Sequence, residues 1–210
     1  ISLAVVMALH AAPGVAADDT ANLEKLIVTA RRTLTPGLGA ETLDSADIAR
    51  LRARTSDTAS LLKGIPGVAT QGAGGISSLP VIRGLADDRL RTQVDGMDLA
   101  AVCPNHMNPP LSYIDPSAVA MIDVYPGVTP VSVGGDSIGG SIVVRSADPR
   151  FAQPGEQVLD GEAGAHFRSN GAGWGGNLAG AYATDRLSLD YSVAYVQSDN
   201  YQAGDDFKDY

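Results

Sequence analysis

Between residues 187 and 195 the side chains alternate without a break. Leu187, Leu189, Tyr191, Val193 and Tyr195 fall on one side of an extended chain, with Ser188, Asp190 and Ser192 on the other. A period of two is the repeat of a β-strand, whose successive side chains point to opposite faces, and it is incompatible with a helix over the same span. One face is oily and aromatic and the other largely polar, so the strand stands between an apolar medium and a polar one. A weaker alternation over residues 177–184 groups Leu178, Gly180 and Tyr182, and residues 161–168 provide a first strand. The connections are residues 169–173, then the tight Thr184-Asp185-Arg186, then a longer polar loop from Ser198. Short turns on one rim and longer loops on the other, with apolar side chains outward, describe antiparallel strands of an outer-membrane barrel. One sheet of a soluble sandwich shares the same alternation.

The rest of the chain narrows that choice. Residues 1–12 are nearly all apolar, and Val15-Ala16-Ala17 places small residues before Asp18, so residues 1–17 read as the remnant of an export signal. No run reaches the roughly 20 apolar residues a spanning helix requires, so any membrane crossing falls to strands. The polar stretch at the other end has no closing element, and the chain reads as a fragment at both ends. A net charge of −9 argues against a nucleic-acid partner, because a phosphate groove needs a basic face. The single cysteine excludes an internal disulfide and leaves a thiol that needs an explanation.

Residues 18–35 are short and polar apart from one β-prone run, Leu26-Ile27-Val28-Thr29-Ala30. An extended segment with no neighbour is a candidate for strand addition to a partner protein, and equally for an ordinary edge strand. Residues 36–150 read as an α/β domain, a small mixed sheet with short helices. Asp44 or Ser45 caps a helix through Ile48 and Leu51, and Thr55 or Ser56 caps another through Leu61 and Leu62, stopped by Gly64 and Pro66. Strands are expected at 67–70, 80–83, 90–94 (turning at Asp95-Gly96), 121–125 and 141–145, with Asp115 and Pro116 opening a one-turn helix.

Cys103-Pro104-Asn105-His106-Met107 concentrates the lone cysteine with one of three histidines and one of four methionines. A thiolate and a thioether favour Cu(I), imidazole suits copper, zinc, iron or nickel, and hard cations want carboxylates that this pentapeptide lacks. A helical turn beginning at Pro104 puts Cys103 and Met107 at i and i+4 on one face, both sulfurs toward one ion. Buried packing is the alternative for either sulfur, although Asn105, His106, Asn108 and Pro109-Pro110 make the segment polar and irregular.

Two other patterns fail on context. Residues 171–176 fit G-x-G-x-x-G, but a strand follows where phosphate binding needs a helix N-terminus. Residues 135–139 fit G-x-S-x-G, with Asp148 or Asp160 and then His166 in hydrolase order. A nucleophile elbow needs a helix after the serine, yet Gly139-Gly140 leads into a strand. An exported serine hydrolase using Ser137 and His166 is the enzymatic rival.

Pro80-Val81-Ile82-Arg83-Gly84, continued by Asp88-Arg89 and Val94-Asp95-Gly96, resembles the plug of TonB-dependent outer-membrane receptors. Ile114-Asp115-Pro116, Ile122-Asp123-Val124-Tyr125-Pro126-Gly127 and Ser137-Ile138-Gly139-Gly140-Ser141-Ile142 fit the end of that plug, and residues 26–30 look like the box that pairs with TonB. The resemblance spans residues 23–148 in order. It implies a plug at 36–150 filling a barrel of about 22 strands, of which residues 151–210 supply the first few. It also implies an outer-membrane location, contact with lipid, and an inner-membrane complex that pulls through TonB on Leu26, Ile27, Val28, Thr29 and Ala30. Cys103-x-x-x-Met107 is similar to the copper-receptor branch of the family, in which a His-x-Met segment of the barrel completes the site. No His-x-Met occurs in this chain. The resemblance therefore implies a non-enzymatic copper transporter with Cys103 and Met107 as ligands and copper, as Cu(I), for its cargo. His106 is chemically able but lies outside the pattern. A siderophore or cobalamin receptor keeps the same fold, and a soluble periplasmic copper carrier is a further alternative.

Overall fold

The computed structural model describes residues 39–73, 77–103, 105–134 and 137–200. The expected export signal and Leu26, Ile27, Val28, Thr29 and Ala30 lie outside the described residues. Helix α1 (Ser45–Arg52) begins where the Asp44 carboxylate accepts the N–H groups of Ala46 and Asp47, both at 2.9 Å. Arg50 and Arg52 in its last turn complement the helix dipole, and Ile48 is its buried anchor. A 3-10 helix (Thr58–Gly64) follows, capped by Asp57 and not by Thr55 or Ser56 as its sequence suggests. The carboxylate is the stronger acceptor: it takes the Ala59 N–H at 3.2 Å and the Ser60 hydroxyl at 2.7 Å. The Thr55 hydroxyl accepts the Asp57 N–H at 3.0 Å instead, and Ser56 is left to face elsewhere.

Strands β2 (Val68–Ala73) and β3 (Ser77–Ile82) pair antiparallel as a separate two-stranded sheet. The main sheet contains β1 (Glu41–Leu43), β4 (Leu90–Val94), β5 (Met97–Leu99), β6 (Met121–Pro126) and β7 (Gly140–Arg145), in the order β1-β6-β7-β4-β5. Only β4 and β7 run parallel, which makes it the mixed sheet expected. Ile122, Val124, Ile142 and Val144 alternate onto one face, where they pack with Ile48, Leu61, Leu62, Ile82 and Leu111 in a single core. Asp123, Tyr125, Ser141 and Arg145 occupy the other face, where Arg145 pairs with Asp123 and Thr42 Oγ1 donates to the same carboxylate at 2.6 Å. Asp115 caps its one-turn helix (Pro116–Ala118) as expected, accepting the Ser117 N–H at 2.9 Å.

Three long antiparallel strands follow: β8 (Val158–Arg168), β9 (Gly173–Ala183) and β10 (Ser188–Gln197), in the order β10-β9-β8. The register pairs Leu159 with Tyr182 and Tyr182 with Leu189, and likewise Ala163 with Leu178 and Leu178 with Val193. Directly paired residues share a face, so these apolar side chains form one outer surface, and Leu159, Phe167, Leu178, Leu189, Val193 and Tyr195 are all exposed on it. Trp174 and Tyr195 pack at one end with ring centroids 5.4 Å apart and planes tilted by 45°. Asp160, Glu162, His166 and Arg168 fall on the opposite face of β8, toward the α/β domain. Among the described residues no helix is long and apolar enough to cross a membrane. Gly171 and Ala172 form the β8–β9 turn and Gly173 opens a strand, which disposes of the dinucleotide pattern.

Candidate metal loop and its surroundings

The loop carrying Cys103 joins β5 to a 3-10 helix at Pro110–Tyr113. The helical turn that would set Cys103 and Met107 at i and i+4 does not form. The His106 N–H closes back on the Cys103 carbonyl at 2.9 Å, and His106 takes the left-handed conformation with φ +51°. A left-handed residue ends a right-handed turn, so the chain reverses at His106 before it reaches Met107. Cys103 is a free thiol, half-buried, and Met107 is 61% exposed. Both sulfurs belong to one short reversal at the surface of the α/β domain.

Two residues brace this reversal from outside the pentapeptide. The Tyr113 hydroxyl donates to the Asn108 carbonyl at 3.2 Å and accepts the Val102 N–H at 3.4 Å, so one phenol gathers both shoulders of the loop. Ser77, at the start of β3, donates its hydroxyl to the Met107 carbonyl at 3.2 Å. Neither was singled out in the sequence, since no ligand-type pattern includes a tyrosine beyond two prolines or a serine on a distant strand.

His106 turns its ring toward Asp87, with Nδ1 at 3.7 Å from Oδ1. Both residues line an open cleft of about 300 Å³ together with Asp88, Arg91, Asp98 and Pro110. Asp87 is itself left-handed, with φ +60°. Arg91 grips Asp98 across this cleft, and its hydrogen bonds hold the Asp98 carboxyl below the usual carboxylate range. Among the described residues, no three His, Cys, Asp or Glu side chains come together in a metal-holding group. Chemically, the loop presents a thiol and a thioether, side-chain types that suit a soft metal.

The hydrolase arrangement is overturned. Ser137 Oγ accepts the Gly140 N–H at 3.1 Å and lies 3.4 Å from Ser141 Oγ, whereas His166 Nε2 lies 3.3 Å from Ser56 Oγ. Ser137 is occupied in shaping the turn into β7, and the imidazole serves the contact between β8 and the α/β domain.

Residues 39–141 match the family model for the TonB-dependent receptor plug domain. A comparison with curated protein sequences found no match. Among solved structures, the copper transporter OprC superposes with a TM-score of 0.64 at 28% identity, covering 79% of this chain and 24% of that one. The FrpB iron transporter from Neisseria meningitidis (F3-3 variant) gives 0.63 at 19% identity, covering 82% and 26%. A ferric enterobactin receptor mutant from Pseudomonas aeruginosa gives 0.59 at 16% identity, covering 77% and 25%. The likeness to the last two is one of fold. The chain spans about a quarter of the length of each of these structures.

Proposed function

The chain belongs to the TonB-dependent receptors, and from that membership we propose that it supplies the plug and first barrel strands of an outer-membrane transporter whose cargo is copper. The observation that carries the cargo is the loop itself: Cys103 and Met107 sit on one reversal at the plug surface, fastened by Tyr113 and Ser77. A thiolate neutralises the charge of Cu(I) and a thioether adds a soft neutral donor, so copper outcompetes the hard cations that dominate outside the cell. The 28% identity with a copper transporter supports the same reading. His106 faces the acidic cleft and is the weaker candidate; the missing donors come from the barrel.

Transport follows from the architecture. The apolar outer face of β8, β9 and β10 meets outer-membrane lipid, and their polar face meets the plug. Leu26, Ile27, Val28, Thr29 and Ala30 pair with TonB, and a pull on them reaches the plug at β1, its first strand. Work at the inner membrane thereby remodels a plug that holds the metal at the surface. A soluble copper carrier has no use for the exposed oily face of β10.

The test is copper content. Cys103→Ser and Met107→Leu in the complete receptor each lower bound copper, measured by mass spectrometry of the purified protein, with folding intact. Unchanged copper in both variants transfers the cargo to a siderophore or cobalamin and leaves the receptor standing.

A further inference from the structure

Two polar contacts of the plug with the barrel wall meet on one residue, Ser56. Arg168 Nη1 donates to Ser56 Oγ at 2.9 Å, His166 Nε2 lies 3.3 Å from the same oxygen, and Arg52 nearby pairs with Glu162. This node is short of acceptors. One hydroxyl serves a guanidinium and an imidazole, while among the described residues Arg168 Nε and Nη2 and Asn177 Nδ2 are buried with no hydrogen-bond partner. Buried donors without partners favour any rearrangement that lets water reach them, so the closed node is cheap to open.

Space lies beside it. A cleft of about 170 Å³ is lined by Arg52, Ser56 and Asp115 of the plug and by Glu162, His166 and Asn177 of the wall. A second, open cleft of about 640 Å³ continues along the same wall past Asp160, Glu162 and Asp190. Ser117 and Glu162 line both, so the two clefts form one seam. Between the levels of His166 and Asp160 it follows β8 for about 20 Å, at roughly 3.4 Å per residue. Its wall recedes because β9 presents Ala179 and Ala181 there; Arg52 and Arg150 pair with Glu162 and Asp160, and the two further carboxylates, Asp115 and Asp190, leave the lining net negative, the sign that suits a cation.

We propose that the plug parts from the barrel wall at the Ser56 node, and that the seam along β8, β9 and β10 is the route by which a cation passes the plug. The route rests on the transport reading above; the parting of the seam does not depend on the identity of the cargo. Two arms separate them, both in the complete receptor in cells. In the first, Ala179→Cys in a Cys103→Ser background is exposed to a small cationic methanethiosulfonate. Labelling accelerates when the inner membrane is energised, and Ser56→Asp, which gives Arg168 a carboxylate to hold, slows it. Labelling that ignores both energisation and Ser56→Asp overturns the proposal, whatever the cargo. In the second, Ala179→Trp, or Ala179→Val where the larger ring prevents folding, fills the seam. Copper uptake then falls while the copper content of the purified receptor stays at the wild-type level. Full uptake through a filled seam also overturns the route. Energy-dependent labelling in a receptor that takes up no copper sustains the seam and removes copper as cargo.

Discussion

Arg91 of β4 grips Asp98 of β5 through both carboxylate oxygens, at 2.6 and 2.8 Å, and the same guanidinium reaches the carbonyl of Gly134. One cation thus ties a three-residue edge strand to the loop before β7. The Arg91 hydrogen bonds hold the Asp98 carboxyl below its ordinary value. A carboxylate whose folded pKa is depressed contributes stability above the unfolded value, about 3.9, and that contribution disappears as the pH falls through the folded value. The Asp98 resonance therefore titrates at lower pH in the wild-type receptor than in Arg91→Gln, where carboxyl NMR finds it back in the usual range. Equal midpoints in the two proteins contradict the pairing. Because Asp98 is exposed, the effect on global stability is small.

Glycine is required where the backbone comes close to a neighbour that cannot yield. At Gly140, φ is +130° and an added Cβ falls 2.2 Å from the Tyr125 carbonyl oxygen, part of the strand it pairs with. At Gly134, φ is +119° and the obstacle is the tip of the Arg91 side chain, which can swing away. Both substitutions to alanine carry a conformational cost of about 1–3 kcal/mol, but only Gly140→Ala must also displace a strand. Gly140→Ala accordingly abolishes folded plug, whereas Gly134→Ala leaves it folded with faster hydrogen exchange around β5. Equal folded yields for the two variants are inconsistent with this packing.

Features set within a few residues were legible in the sequence. The Asp44 cap, the Asp95-Gly96 turn and strands β4, β6 and β7 follow from local polarity and branching, and each forms within a residue or so of its expected place. Strands β1 (Glu41-Thr42-Leu43) and β5 (Met97-Asp98-Leu99) were missed because three residues are too short a run to establish an alternation; they are strands because β6 and β4 offer them an edge. The role of Ser56 was equally invisible, since its partner His166 lies 110 residues away. At the loop of Cys103 and Met107 the expected spacing of the two sulfurs on one helical face did not form: the chain reverses instead, with His106 left-handed.

Tyr113 is the residue by which this reversal can be tested without touching either proposed ligand. Tyr113→Phe keeps the ring and removes the hydroxyl that joins Val102 to Asn108. Two exposed hydrogen bonds, both long at 3.4 and 3.2 Å, are worth together about 1 kcal/mol to the loop, or about a five-fold weakening of metal affinity. Saturating copper still binds at the wild-type stoichiometry, because Cys103 and Met107 remain. Competitive titration against a Cu(I) chelator reads the shift, and an unchanged affinity shows that the loop holds its shape without the phenol.

The assignment of faces in the long strands has its own test in two adjacent residues. Val193 pairs with Leu178 on the outer, apolar surface, while Ser192 pairs with Ala179 on the inner one. An arginine facing lipid near the middle of a barrel strand costs about 2–4 kcal/mol, because the charge leaves water for hydrocarbon, whereas one facing the lumen keeps polar surroundings. Val193→Arg therefore lowers the fraction of receptor that reaches the heat-modifiable, membrane-inserted form on gels, and Ser192→Arg leaves it near wild type. A one-residue shift in register exchanges the two faces and reverses the order of the variants. Equal insertion of both proteins places the outer face of β10 against water, which removes the lipid contact on which the barrel reading of these strands depends.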